Sequence, residues 1–74
     1  MAQKTLDLIG LKCPLPYLRT KKALAQAASG DVLMVQTSDP LAVIDIPNLC
    51  RETGDDVEIL AREGAETRFR IEKR

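Results

Sequence analysis

The chain has 74 residues, 45% hydrophobic and 30% charged, with 11 basic residues balancing 11 acidic ones. That length holds one small domain (residues 1–74) near the lower limit for a self-sufficient core, and the composition is globular rather than disordered. Zero net charge argues against non-specific nucleic-acid or membrane-surface binding. No apolar run approaches the ~20 residues of a membrane span and the N-terminus has no signal-peptide pattern, so a cytoplasmic protein is expected. With two cysteines and no histidine, a four-ligand zinc site would have to recruit carboxylates, and Ser-His or Cys-His catalysis has no base. What remains is thiol or carboxylate chemistry, with no metal and no cofactor expected.

Residues 4–9 alternate Leu6 and Leu8 with Thr5 and Asp7, which predicts a strand that Gly10 ends. Pro14 then suits a first helical position, because its φ is pre-set and it has no N–H to leave unpaired. A helix is predicted from Pro14 to about Ala28, closed by Ser29-Gly30. Tyr17, Thr20, Leu24, Ala27 and Ala28 share the face expected to pack on a sheet, and Arg19, Lys22 and Gln26 share the opposite one. Leu15 and Leu18 fall among or beside those charges. Val32-Leu33-Met34-Val35 reads as a covered strand running out at Thr37-Ser38. Asp39-Pro40 predicts a turn at 40–43, and Asp45-Ile46-Pro47 predicts a helix from about 45 to 53 with Ile46, Leu49, Cys50 and Thr53 inward and Gly54 closing it. Val57, Ile59 and Ala61 alternate with Glu58 and Arg62 in a third strand, 63–66 is a hairpin turn, and Phe69 and Ile71 alternate with Arg68, Arg70 and Glu72 in a fourth. The order βαβαββ predicts an α+β fold. One crossover gives a parallel pair and the closing hairpin an antiparallel one, with both helices on one sheet face and the charged strand residues on the other.

Gly10-Leu11-Lys12-Cys13-Pro14-Leu15-Pro16 is the candidate site. It puts Cys13 at the cap position of the first helix, where free amides and the helix dipole favour thiolate. No acid occurs from Leu8 through Gly30, while Lys12, Arg19, Lys21 and Lys22 supply positive charge. An unperturbed thiol has a pKa of about 8.5, and such neighbours lower it. Cys13 is therefore expected to be an exposed, ionised nucleophile. Leu15 and Leu18 beside it suggest a docking patch, and the basic helix suits acidic partner surfaces. Cys50, on an apolar helical stripe, is expected to be core. Asp39 and Asp45 most simply cap helical segments.

These residues resemble the TusA/SirA-type family of small sulfur carriers. The resemblance rests on Leu6-Asp7, Gly10 through Pro16 with its Cys-Pro-x-Pro core, Lys21-Lys22, Gly30-Asp31 before an apolar strand, Asp39-Pro40, and Asp45-Ile46-Pro47 with Cys50, and it spans residues 5 to 72. It implies a two-layer α/β sandwich with a mixed four-stranded sheet. It also implies that Cys13 receives sulfane sulfur as a persulfide and hands it to another protein. Lys12, Pro14, Leu15, Pro16, Leu18, Arg19, Lys21 and Lys22 would dock partners or stabilise the thiolate. The donor implied is a cysteine desulfurase or rhodanese-like protein, and the receiver a persulfide-accepting protein, with the carrier itself a monomer that contacts no nucleic acid. Family branches serve tRNA thiolation, sulfur oxidation, molybdenum-cofactor synthesis and selenium or thiosulfate handling. Leu15 is apolar where the tRNA-thiolation carrier has an acid. Read from the residues alone, three alternatives stay open: a thiol oxidoreductase pairing Cys13 with Cys50, an RNA-binding module, and a regulatory domain whose thiol is incidental. The RNA reading is disfavoured by the scarcity of aromatics, Tyr17 and Phe69 only.

Overall fold

Alternating apolar residues in four segments line up across one sheet in the computed structural model, which describes residues 2–74. The elements run β1 (Gln3–Leu8), α1 (Leu15–Gln26), β2 (Val32–Thr37), α2 (Ala42–Thr53), β3 (Asp56–Glu63) and β4 (Glu66–Glu72). The strands lie in the order β1-β2-β4-β3. β1 and β2 pair in parallel, while β2 with β4 and β3 with β4 pair antiparallel. The mixed sheet and the βαβαββ order follow the expectation.

Register explains the core. Leu33 sits opposite Ile71, Val35 opposite Phe69 and Thr37 opposite Thr67, and all six are buried on one face. Helix residues Ala23, Leu24, Ala42, Ile46, Leu49 and Cys50 close over that face in a single apolar cluster. The opposite face carries Asp7, Glu58, Arg68, Arg70 and Glu72, exposed or half-buried. Phe69 is completely enclosed, and removing a buried Phe ring typically costs about 3–5 kcal/mol.

Three boundaries differ from the sequence reading. α1 starts at Leu15 rather than Pro14 and ends at Gln26, because the Leu15 N–H bonds back to the Lys12 carbonyl at 2.8 Å in a tight turn. α2 begins at Ala42, well before Asp45. The Asp39 carbonyl accepts from the Ala42 N–H at 3.0 Å and its carboxylate accepts from the Leu41 N–H at 3.0 Å, so one residue nucleates the helix. Pro47 is carried inside α2, within its second turn. In β3 the simple alternation breaks. Ile59 faces Phe69 but Ala61 faces Arg68, so Leu60 is an extra residue in a bulge and Ala61 swings to the charged face.

Candidate functional site

Two parallel neighbours end at the same edge of a sheet, so the loops that follow β1 and β2 emerge side by side. Gly10 turns the first loop with φ +88, a conformation costly for any side-chain-bearing residue, and its N–H donates to Ser38 Oγ at 2.7 Å. The Cys13 N–H donates to the Asp39 carboxylate. These two bonds stitch residues far apart in sequence into one rim. A shallow cleft of about 360 Å³ lies there, lined by Gly10, Leu11, Lys12, Cys13, Ser38, Asp39, Pro40 and Leu41.

Cys13 is exposed in this cleft and is a free thiol. The cap of α1 is Pro14, joined to Cys13 by a cis peptide, so the thiol stands one position outside the cap expected for it. Its immediate partner is acidic. Sγ donates to Asp45 Oδ2 at 3.5 Å, in the first turn of α2. The pKa of Cys13 moves upward rather than downward, making it a weaker acid: loss of part of its water shell contributes most, followed by the Asp45 hydrogen bond and the charges of Asp45 and Asp39. The Asp45 contact and the upward direction of the shift both oppose the helix-stabilised thiolate expected from the sequence. The Leu15 N–H is taken by the Lys12 carbonyl and Pro16 has none, so two of the first-turn positions offer no free amide.

The basic residues scatter. Lys12 alone lines the thiol cleft. Arg19 and Lys22 face a different groove, between α1 and β1, with Lys4, Leu6, Leu8 and Gln26. Lys21 is exposed, with Nζ 6.0 Å from the centre of the Tyr17 ring, whose hydroxyl donates to Glu52 at 3.1 Å. Stabilisation of a thiolate by Arg19, Lys21 and Lys22 is thus not the arrangement found. Pro16 is fully buried, which removes it from any docking surface, whereas Pro14 is exposed. Leu15 (41% exposed) and Leu18 (50%) stand free on the first turn of α1, and Leu41 (50%) at the cap and Ile44 (59%) in the first turn of α2. Of these four, Leu41 lines the cleft with Cys13, and both Leu41 and Ile44 were missed in the sequence. The i, i+3 spacing of Leu41 and Ile44 signalled them, once α2 is known to start at Ala42.

Asp39 and Asp45 were read only as caps. Asp39 does nucleate α2, yet both carboxylates also reach Cys13. Cys50, by contrast, is wholly buried on α2 as expected, and burial followed by the Asp55 charge pushes its thiol up to about 11. Among the described residues, no group of three or more Cys, Asp or Glu is arranged to hold a metal ion, and no helix is long and apolar enough to cross a membrane.

Comparison with known proteins gives the family. A family model described as Sulfurtransferase TusA matches residues 4–73. The chain belongs to the TusA family. The sulfur carrier protein TusA of Allochromatium vinosum is 43% identical over 92% of this chain and 90% of its own. A protein of Neisseria meningitidis serogroup A with a provisional sulfur-carrier name is 57% identical over 73% of each chain. The crystal structure of a SirA-like protein from Desulfitobacterium hafniense superposes with a TM-score of 0.82 at 27% identity, covering 93% of this chain and 95% of that one. Sulfur carriage, which requires a donor and an acceptor protein, is the function this membership assigns.

Proposed function

We propose that Cys13 is the atom-bearing residue of the carrier and that it holds sulfane sulfur as a persulfide. The observation that supports this most is the free thiol's position, exposed in a cleft where two loops meet, with the exposed Leu41 on the same rim. In loading, the Cys13 sulfur forms a bond to the terminal sulfur of a donor persulfide and the donor S–S bond breaks. Cys13–SH and R–S–SH become Cys13–S–SH and R–SH, with no net oxidation. Unloading repeats the exchange with an acceptor thiol. No cofactor takes part.

Leu15, Leu18, Leu41 and Ile44, with Lys12 and Pro14, form the docking face for both partners. A cysteine desulfurase or a rhodanese-like protein is the donor, and a persulfide-accepting protein of a tRNA-thiolation, sulfur-oxidation or cofactor-sulfuration route is the receiver. The carrier works as a cytoplasmic monomer that contacts no nucleic acid. The oxidoreductase alternative has less support, because Cys50 is sealed in the core and its thiol is very weakly acidic.

Transfer through the protein tests the proposal. The chain is incubated with a persulfide donor, freed of it, and mixed with a small acceptor thiol, and the sulfur released is counted. Wild type should deliver about one sulfur per chain, one for each reactive thiol, and Cys13→Ser should deliver none while keeping its circular dichroism. Delivery by Cys13→Ser would refute the assignment.

A further inference from the structure

The charges around Cys13 have a sign that neither the neutral total nor the basic first helix foretold. Asp45 Oδ2 receives the thiol hydrogen at 3.5 Å, and the Asp39 carboxylate takes the backbone N–H of the same residue. They come from two directions, the first turn of α2 and the loop after β2. On the cysteine's own loop the one cation lining the cleft is Lys12. From α1, Arg19 and Lys22 turn to the β1 groove and Lys21 lies over Tyr17. Farther along α2, Glu52 is engaged by the Tyr17 hydroxyl. Two carboxylates therefore face the sulfur against one lysine.

We infer that Asp45, with Asp39 beside it, sets the charge of the sulfur compounds Cys13 will exchange with: the carrier favours a partner sulfur that stands beside a cationic side chain and discriminates against anionic ones. This rests on the persulfide reading and adds the partner's chemistry to it. In the free carrier the thiol keeps its proton, because ionising it would place a third negative charge in the cleft. A lysine or arginine brought in by the docked partner pairs with Asp45, and the thiol then ionises where the reactive sulfur is waiting. The proton leaves to solvent. The electron pair it leaves on Sγ forms the new S–S bond, and the electrons of the broken S–S bond depart on the partner's thiolate, which is protonated in turn. The same carboxylates repel free anionic disulfides and persulfides, so the thiol is spared from exchange outside a docked complex.

Three small symmetric disulfides test this on the intact protein: cystamine as dication, bis(2-hydroxyethyl) disulfide as neutral compound and dithiodiglycolate as dianion. The rate of mixed-disulfide formation at Cys13 is followed by intact mass at neutral pH and low salt. Each rate is divided by that of N-acetylcysteine amide, which removes the intrinsic reactivity of the reagent. We expect the normalised rates to fall from dication to dianion by about tenfold, and the spread to collapse near 1 M salt, where the screening length is about 3 Å. In Asp45→Asn the spread should narrow and the neutral reagent should react faster, because less charge opposes the thiolate. Equal normalised rates in wild type, or a faster dianion, would overturn the inference without recourse to any variant, and so would an unchanged spread in a folded Asp45→Asn. Loading from a persulfide donor is measured on the same sample. Failure to load refutes the carrier reading, whereas loading without charge selectivity refutes this inference alone.

Discussion

The two thiols of this chain are both weak acids for different reasons, and the difference separates a working sulfur from a structural one. Cys50 is sealed among the apolar residues of α2 and the sheet, and burial contributes most to pushing its thiol up to about 11. Cys13 stands in open cleft, where the acidic partners Asp45 and Asp39 add to a partial loss of hydration. A buried cysteine cannot be relieved without opening the core. An exposed one beside carboxylates can be relieved by a passing cation. Acidity alone would therefore misclassify both sulfurs; access and the sign of the neighbours tell them apart.

The contrast is broken most easily by reactivity. A neutral alkylating reagent should modify the native protein once, at Cys13, and reach Cys50 only after denaturant is added; native double modification would erase the distinction. The rate at Cys13 should climb with pH beyond neutrality, since desolvation and the Asp45 contact raise its pKa from the ordinary value, and Asp45→Asn should move that climb to lower pH. On the core side, Phe69→Ala should cost about 3–5 kcal/mol of unfolding free energy, a large share of what so small a domain has, and expose Cys50 to the reagent. Cys50→Ser, which buries a hydroxyl in place of a thiol, should cost about 1–3 kcal/mol by denaturant titration and leave sulfur loading intact. Gly10→Ala is the smallest change. A Cβ there meets no atom within 4 Å, so only the positive φ opposes it, at about 1–2 kcal/mol; the loss should fall on the loop that presents Cys13.

The core was legible because it is periodic. Leu33 and Val35 in β2, Phe69 and Ile71 in β4, and Ile46, Leu49 and Cys50 in α2 lie on the faces their spacing predicts. The exposed sulfur before α1 was legible too, from Gly10 and the prolines around Cys13. The acidity of its surroundings was not. Local sequence supplies lysines and no acids near Cys13, whereas Asp39 and Asp45 arrive through the parallel pairing of β1 with β2, a relation that spans 26 and 32 residues. Pro14 also took the cap that the spacing assigned to Cys13, since the Lys12 carbonyl claims the Leu15 N–H. Asp45-Ile46-Pro47 looked like a helix start, and concealed that Asp39 had begun α2 already.

The central claim is that transferable sulfur resides on the exposed cysteine and not on the buried one. Wild-type protein loaded from a persulfide donor should be trapped with a neutral alkylating reagent, digested and mapped by mass spectrometry. The peptide containing Cys13 should carry the mass of one additional sulfur atom, and the peptide containing Cys50 should carry none. An additional sulfur found on Cys50, or on neither peptide, would contradict it.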